Sequence, residues 1–120
     1  DAEAERVAEA VAALAPEAVA VCLAFAHLAP AHEQRLAAAL AARLPDVPVY
    51  LSSQVNPQIE EYPRANTTAV AAYVGPVVAR YVTTLEQALN ARAFRAPLRL
   101  MRSDGGVATP AAARENPVKM

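Results

Sequence analysis

Residues 18–26 read AVAVCLAFA, and residues 48–53 read PVYLSS. The first is a continuous apolar run flanked by breakers, a pattern that suits a strand buried on both faces. The second is a short run after the turn made by Asp46 and Pro48, and it reads as a second strand. Between them, Leu36, Leu40 and Leu44 form the stripe of a helix over about 30–44, opened by Ala29–Pro30 and stopped by Pro45. Before them, Val7, Val11 and Leu14 recur at helical spacing over 2–14, and Pro16 marks the break. Glu3, Glu5 and Glu9 place negative charge near the positive end of that helix.

Downstream, residues 54–64, QVNPQIEEYPR, hold two prolines and no clear period, so they read as a loop. Its length exceeds that of most connections, which often marks a functional or inter-domain segment. A long helix is predicted over about 66–93, capped by Asn66 or Thr67. Val70, Val74, Val77, Val78, Tyr81, Val82, Leu85 and Leu89 keep its apolar face. At about 1.5 Å per residue it spans on the order of 40 Å. Gly75–Pro76 should kink it, because Pro76 cannot donate to the carbonyl of Ala72.

Residues 97–103, PLRLMRS, read as a third strand, Asp104–Gly105–Gly106 as a turn, and about 109–115 as a short helix opened by Thr109–Pro110. The order α-β-α-β-α-β-α predicts an α/β fold with a short three-stranded parallel sheet, flanking helices and right-handed crossovers. Three strands leave exposed edges, which suggests part of something larger.

Composition bounds the function. The 120 residues suffice for one small domain, and 11 Lys+Arg against 12 Asp+Glu give no pull toward nucleic acid or membrane. Hydrophobic content of 55% argues against disorder, yet much of it is alanine, Trp is absent and aromatics are 5%. The core should be thin and in need of neighbouring surfaces. Cys22 is the single cysteine, which excludes an internal disulfide and a cysteine-cluster zinc site, and fits a reducing cytoplasm. No apolar run is long enough to span a bilayer, and the acidic start lacks the basic flank of a signal peptide. The absence of an initiating Met suits a fragment or a processed chain.

The segment Ser52 to Pro76, SSQVNPQIEEYPRANTTAVAAYVGP, resembles the stretch joining the two halves of hydantoinase A/oxoprolinase family subunits. Members there commonly read Ser-Ser-Glu-Val, Pro, Arg-Glu-Tyr-Glu-Arg, Ser-Thr-Thr, Asn-Ala-Tyr and Pro, in that order. Pro30-Ala31-His32-Glu33 is similar to the family's Pro-x-His-Glu helix start, and Leu100 to Gly106, LMRSDGG, to its Met-Gln-Ser-Asn-Gly-Gly strand end. Departures fall at Gln54, Glu60, Pro63, Asn66, Ala71, Arg102 and Asp104, and several change charge or hydrogen-bonding capacity. The resemblance implies an internal fragment of an actin-like (ribonuclease H-like) ATPase fold. Residues 1–64 would end its N-terminal half, and residues 65–120 would start the second.

The implied activity is ATP-dependent hydrolysis of cyclic amides of the hydantoin, N-methylhydantoin or oxoproline type. Carboxylation of ketones such as acetone or acetophenone is the nearest variant, and a non-catalytic α/β interaction module, bound through the long helix, is the alternative. The full-length enzyme would use ATP and a divalent metal (Mg or Mn). Its partners would be the remainder of the large subunit, a second, hydantoinase B-like subunit and a small-molecule substrate. Only Gly75, Gly105 and Gly106 are glycines, so no phosphate loop can be built here, and the fragment alone should neither bind ATP nor be active.

Asp104 is the first catalytic candidate, since a carboxylate and two glycines beyond a strand suit a ligand, metal or substrate. An ordinary strand-to-helix turn is the competing reading, and Ser103, Gly105 and Gly106 go with either. Glu61 is the second candidate, in the polar cluster Glu60, Glu61, Tyr62, Arg64, where adjacent carboxylates perturb each other. A solvated connector competes with it. Asn66, Thr67 and Thr68 would orient an anion at a helix N-terminus, or simply cap it. His27 and His32 lack the spacing of a helical metal pair, so packing is the reading, as it is for Cys22; no metal ligand is assigned. Arg92, Arg95, Arg99 and Arg102 read as a solvated face or as salt-bridge partners for the remainder of the subunit, rather than as a nucleic-acid surface, because no basic-aromatic interleaving accompanies them.

Overall fold

The computed structural model describes residues 2–119. In chain order the elements are α1 (Ala2–Ala12), β1 (Val19–Val21), α2 (Ala31–Arg43), β2 (Val49–Leu51), α3 (Ser52–Val55), α4 (Glu61–Ala91), β3 (Leu100–Met101), β4 (Val107–Ala108), α5 (Pro110–Glu115) and a 3-10 turn (Pro117–Lys119). They fall into two compact units, one up to Tyr73 and one from Val74.

In the first unit β1 and β2 pair in parallel, Val19 opposite Val49 and Val21 opposite Leu51. The Val19 N–H donates to the Pro48 carbonyl at 2.9 Å. Ala8 of α1 and Ala39 and Leu40 of α2 pack with Val21 and Leu51 as the core, flanked by Val11, Leu23 and Leu36. Half-exposed Arg43 ion-pairs with Glu5 across the two helices, a contact worth little in water. α1 stops without glycine: Ala15 takes the left-handed conformation at φ 47°, just ahead of Pro16.

The sheet is two-stranded, not three-stranded, and the reasons are local. The apolar run 18–26 leaves the ladder after Val21, because the Glu33 carboxylate takes the Leu23 N–H at 3.0 Å. The chain then folds into tight turns, with the Leu28 and Ala29 N–H groups on the Phe25 carbonyl and Phe25 itself at φ 56°. The PVYLSS strand ends at Leu51, where Ser52 and Ser53 start α3. The expected long loop shrinks to residues 56–60, because α4 already begins at Glu61. Pro63 lies in the first turn of that helix, where a missing N–H costs nothing. Asn66 and Thr67 therefore sit inside α4 and cap nothing.

In the second unit Val82, Ala108, Ala113 and Pro117 are buried. The expected third parallel strand is instead the first arm of a hairpin: Leu100–Met101 pairs antiparallel with Val107–Ala108. The turn reverses the chain because Gly105 supplies φ 83°, Gly105 N–H donates to the Arg102 carbonyl at 2.9 Å, and Arg102 N–H donates to the Gly106 carbonyl at 2.8 Å. α5 starts as expected, with Thr109 Oγ1 accepting the Ala112 N–H at 3.2 Å and Pro110 in its first turn. Arg114 of α5 donates to Thr83 Oγ1 at 3.2 Å and ion-pairs with Glu86, both on α4.

The turn yields a first prediction. A Cβ on Gly105 would meet nothing within 4 Å, so Gly105→Ala should carry only the backbone penalty, about 1 kcal/mol in chemical denaturation. Gly105→Asn should recover most of it, because asparagine visits the left-handed region more readily. Alanine and asparagine variants of equal stability would disprove the assignment.

Candidate functional site

Glu33 lies in the first turn of α2, where a carboxylate suits the helix dipole. Its side chain is fully buried, and both oxygens are filled. One accepts the Leu23 N–H at 3.0 Å and the Ser52 hydroxyl at 2.6 Å. The other accepts the Ser53 N–H at 3.0 Å and the Ser53 hydroxyl at 2.7 Å. Burial pushes the Glu33 carboxyl up, but the Ser52 and Ser53 donors, then the Leu23 N–H, outweigh it and hold the group below the usual carboxylate range.

Arg64, in the first turns of α4, is also fully buried. Its Nε donates to Ser52 Oγ at 3.1 Å, its Nη1 to the Gln58 carbonyl at 2.8 Å and its Nη2 to the Leu23 carbonyl at 2.9 Å. Ser52 thus stands between the two buried charges, and the network ties the end of β1 to the starts of α2, α3 and α4. Nη1 also faces His27 Nδ1 at 3.3 Å. A guanidinium can only donate, so Nδ1 accepts and the imidazole proton sits on Nε2, which is buried without a partner among the described residues. Thr68 Oγ1 donates to the Arg64 carbonyl at 2.7 Å, and Thr67 Oγ1 to the Pro63 carbonyl at 2.8 Å.

Beside Arg64 lies an open cavity of about 350 Å³, lined by Cys22, Leu23 and Ala24 just past β1 and by Glu61, Tyr62 and Ala65 on α4. It occupies the carboxyl end of a parallel strand, the usual ligand position in α/β sheets. Its wall offers a thiol, a carboxylate and a phenol. Arg64 adds positive charge to it, with its donors already directed at protein acceptors. The cavity can hold a small polar molecule.

The candidates from the sequence divide between the units. Glu61 lines this cavity from an exposed position, while Asn66 faces outward, the Thr68 hydroxyl bonds within α4, and the Thr67 hydroxyl bonds within α4 and accepts from Asn56 Nδ2 at 3.4 Å. Ser103, Asp104, Gly105 and Gly106 form the hairpin turn of the second unit, so the expected setting of Asp104, beyond a parallel strand and before a helix, is replaced by a turn between antiparallel arms. Asp104 Oδ1 accepts the Gly106 N–H at 3.0 Å, and the carboxylate ion-pairs with Arg102. The Gly106 N–H, with Arg102 beside it, holds the Asp104 carboxyl below its ordinary range.

Sequence reasoning missed the joining of His27, Glu33, Ser52, Ser53 and Arg64. Glu33, Ser52, Ser53 and Arg64 were visible in the sequence only as letters of separate motifs, with nothing to join them. Among the described residues no group of three or more His, Cys, Asp or Glu side chains could hold a metal, and no helix is long and apolar enough to cross a membrane.

Residues 64–120 match a family described as Hydantoinase/oxoprolinase. The chain is 39% identical over 102 residues to caprolactamase subunit alpha of Pseudomonas jessenii, covering 85% of this chain and 15% of that one. Its fold superposes on the crystal structure of the ATP-dependent caprolactamase from Pseudomonas jessenii with a TM-score of 0.83 and 32% identity, over 98% of this chain and 18% of that one. It also superposes on a nucleotide-free acetone carboxylase with a TM-score of 0.79 at 21% identity, over 97% and 17%, a likeness of fold alone. The chain thus spans less than a fifth of the length of these relatives.

Proposed function

We propose, since this chain belongs to the hydantoinase/oxoprolinase family, that it is one part of an ATP-dependent hydrolase of cyclic amides. The observation that carries this reading is the likeness to a caprolactamase in both sequence and fold, because a lactam is a cyclic amide. The part played by these residues is architectural. The Glu33–Ser52–Arg64 network fixes the carboxyl end of β1 against the first turns of α4, and so shapes the cavity that Cys22, Glu61 and Tyr62 line.

The described residues do not fit a nucleotide–metal site. Gly75 lies inside α4, Gly105 and Gly106 are spent on a hairpin, and no ligand cluster is present among them. ATP and a divalent metal therefore belong, in this reading, to other parts of a polypeptide of family length, with the actin-like fold completed there. The junction between the two family halves is placed at residues 64 and 65, a reading supported by the family match beginning at Arg64. A second, hydantoinase B-like subunit and a cytoplasmic setting complete the proposal; the name of the caprolactamase relative, a subunit alpha, supports the former.

The test is ATP consumption by the polypeptide as its gene encodes it, with its partner subunit, against caprolactam, hydantoins, oxoproline and small ketones with bicarbonate. Stimulation by a cyclic amide is expected. Stimulation by a ketone alone would transfer the protein to the carboxylase branch, which the acetone carboxylase fold favours as the second reading. No stimulation at all would overturn both.

A further inference from the structure

Within the first unit α4 buries one face and opens the other. Arg64, Thr68 and Ala71, spaced by four and three, are fully buried. Tyr62, Asn66, Val70 and Tyr73, spaced by four, four and three, form a strip along the opposite side. Tyr62 is 81% exposed, Val70 47% and Tyr73 84%. From Ala65 to Ala79 the sequence holds no charged residue. A solvated helix face normally carries charge, whereas a row of exposed apolar side chains marks a packing surface. Each tyrosine would bury about 150–250 Å² in such a setting.

We infer that this strip is an internal packing surface, and that its occupant is an apolar, uncharged segment from another part of the same polypeptide. One observation and one physical argument select that occupant over a second copy of the chain. The same fold recurs over 97% and 98% of this chain inside proteins of which it makes up 17% and 18%, so most of each such protein lies outside the match. A segment tethered to the strip also needs far less buried area than a separate copy, because its effective concentration is high. The inference rests on family membership and is independent of the cyclic-amide reading.

The experiment places the photoreactive p-benzoylphenylalanine at Tyr73 in the polypeptide as its gene encodes it, and maps the cross-linked peptides by mass spectrometry. Cross-links within one molecule to peptides outside these 120 residues are expected. Cross-links to a second copy, or none, would overturn the inference. In parallel, Tyr73→Glu should lower the Tm of that polypeptide by several degrees, and Tyr73→Phe should leave it nearly unchanged. Equal shifts in the two variants would count against the assignment. Neither readout involves turnover, so a failure here is separable from a failure of the proposed activity.

Discussion

Replacing Arg64 with alanine is expected to destabilise the first unit by about 3–5 kcal/mol, the largest single-residue effect in the chain. Three consequences combine. The Leu23 and Gln58 carbonyls lose their guanidinium donors. The Glu33 carboxylate loses the nearby cation, one hydroxyl away, and becomes a lone buried charge. A large, fully buried side chain also leaves a hole that the thin, alanine-rich core cannot close. Arg64→Lys should recover only part of the loss, because one ammonium cannot reach Ser52, Gln58 and Leu23 at once. Exposed Glu61→Ala should stay within about 0.5 kcal/mol of the parent. Urea denaturation gives the comparison through the midpoint at unchanged slope. A loss below about 1 kcal/mol for Arg64→Ala would mean that the network does not hold the unit together.

That network explains what the sequence could and could not disclose. α1, α2 and α5 were legible because Pro16, Pro45 and Thr109–Pro110 punctuate residues with helical period. β1 was legible as a strand, but its length was not: the residue that ends it, Glu33, lies ten positions beyond the Leu23 it captures. A hydrophobic pattern treats a glutamate in a first helical turn as solvated, whereas here it is buried by partners from two other elements. The same applies to Arg64, which reads as a loop charge beside Glu60 and Glu61 until α3 and α4 are seen to close on it. The hairpin was misread because LRLM before Asp-Gly-Gly fits a strand of either direction, and the glycine that turns the chain back also permits a strand-to-helix turn. Of the candidate positions, Glu61 lines the cavity, while the residues that shape it were visible only as fragments of motifs.

Replacing Glu33 with glutamine should lower stability at neutral pH by about 2–3 kcal/mol, since an amide NH₂ must then face donors that a carboxylate oxygen accepted. Either orientation of the amide sets its NH₂ against an N–H and a hydroxyl, of Leu23 and Ser52 or of Ser53. The pH dependence separates this loss from a simple packing defect. In the parent the Glu33 carboxyl is held below its ordinary value of 4.5, so the unfolded chain binds the proton more readily than the folded one. The resulting stability is fully present above that ordinary value and drains away as pH falls through the lower, folded value. Glutamine has no proton to bind, so the variant lacks this part of the acid branch. Thermal unfolding from pH 7 down to pH 3 should therefore show the two chains far apart at neutrality and converging in acid. Curves that stay parallel would show that Glu33 titrates alike in the folded and unfolded chain, and the buried carboxylate could then not be the group that organises the site.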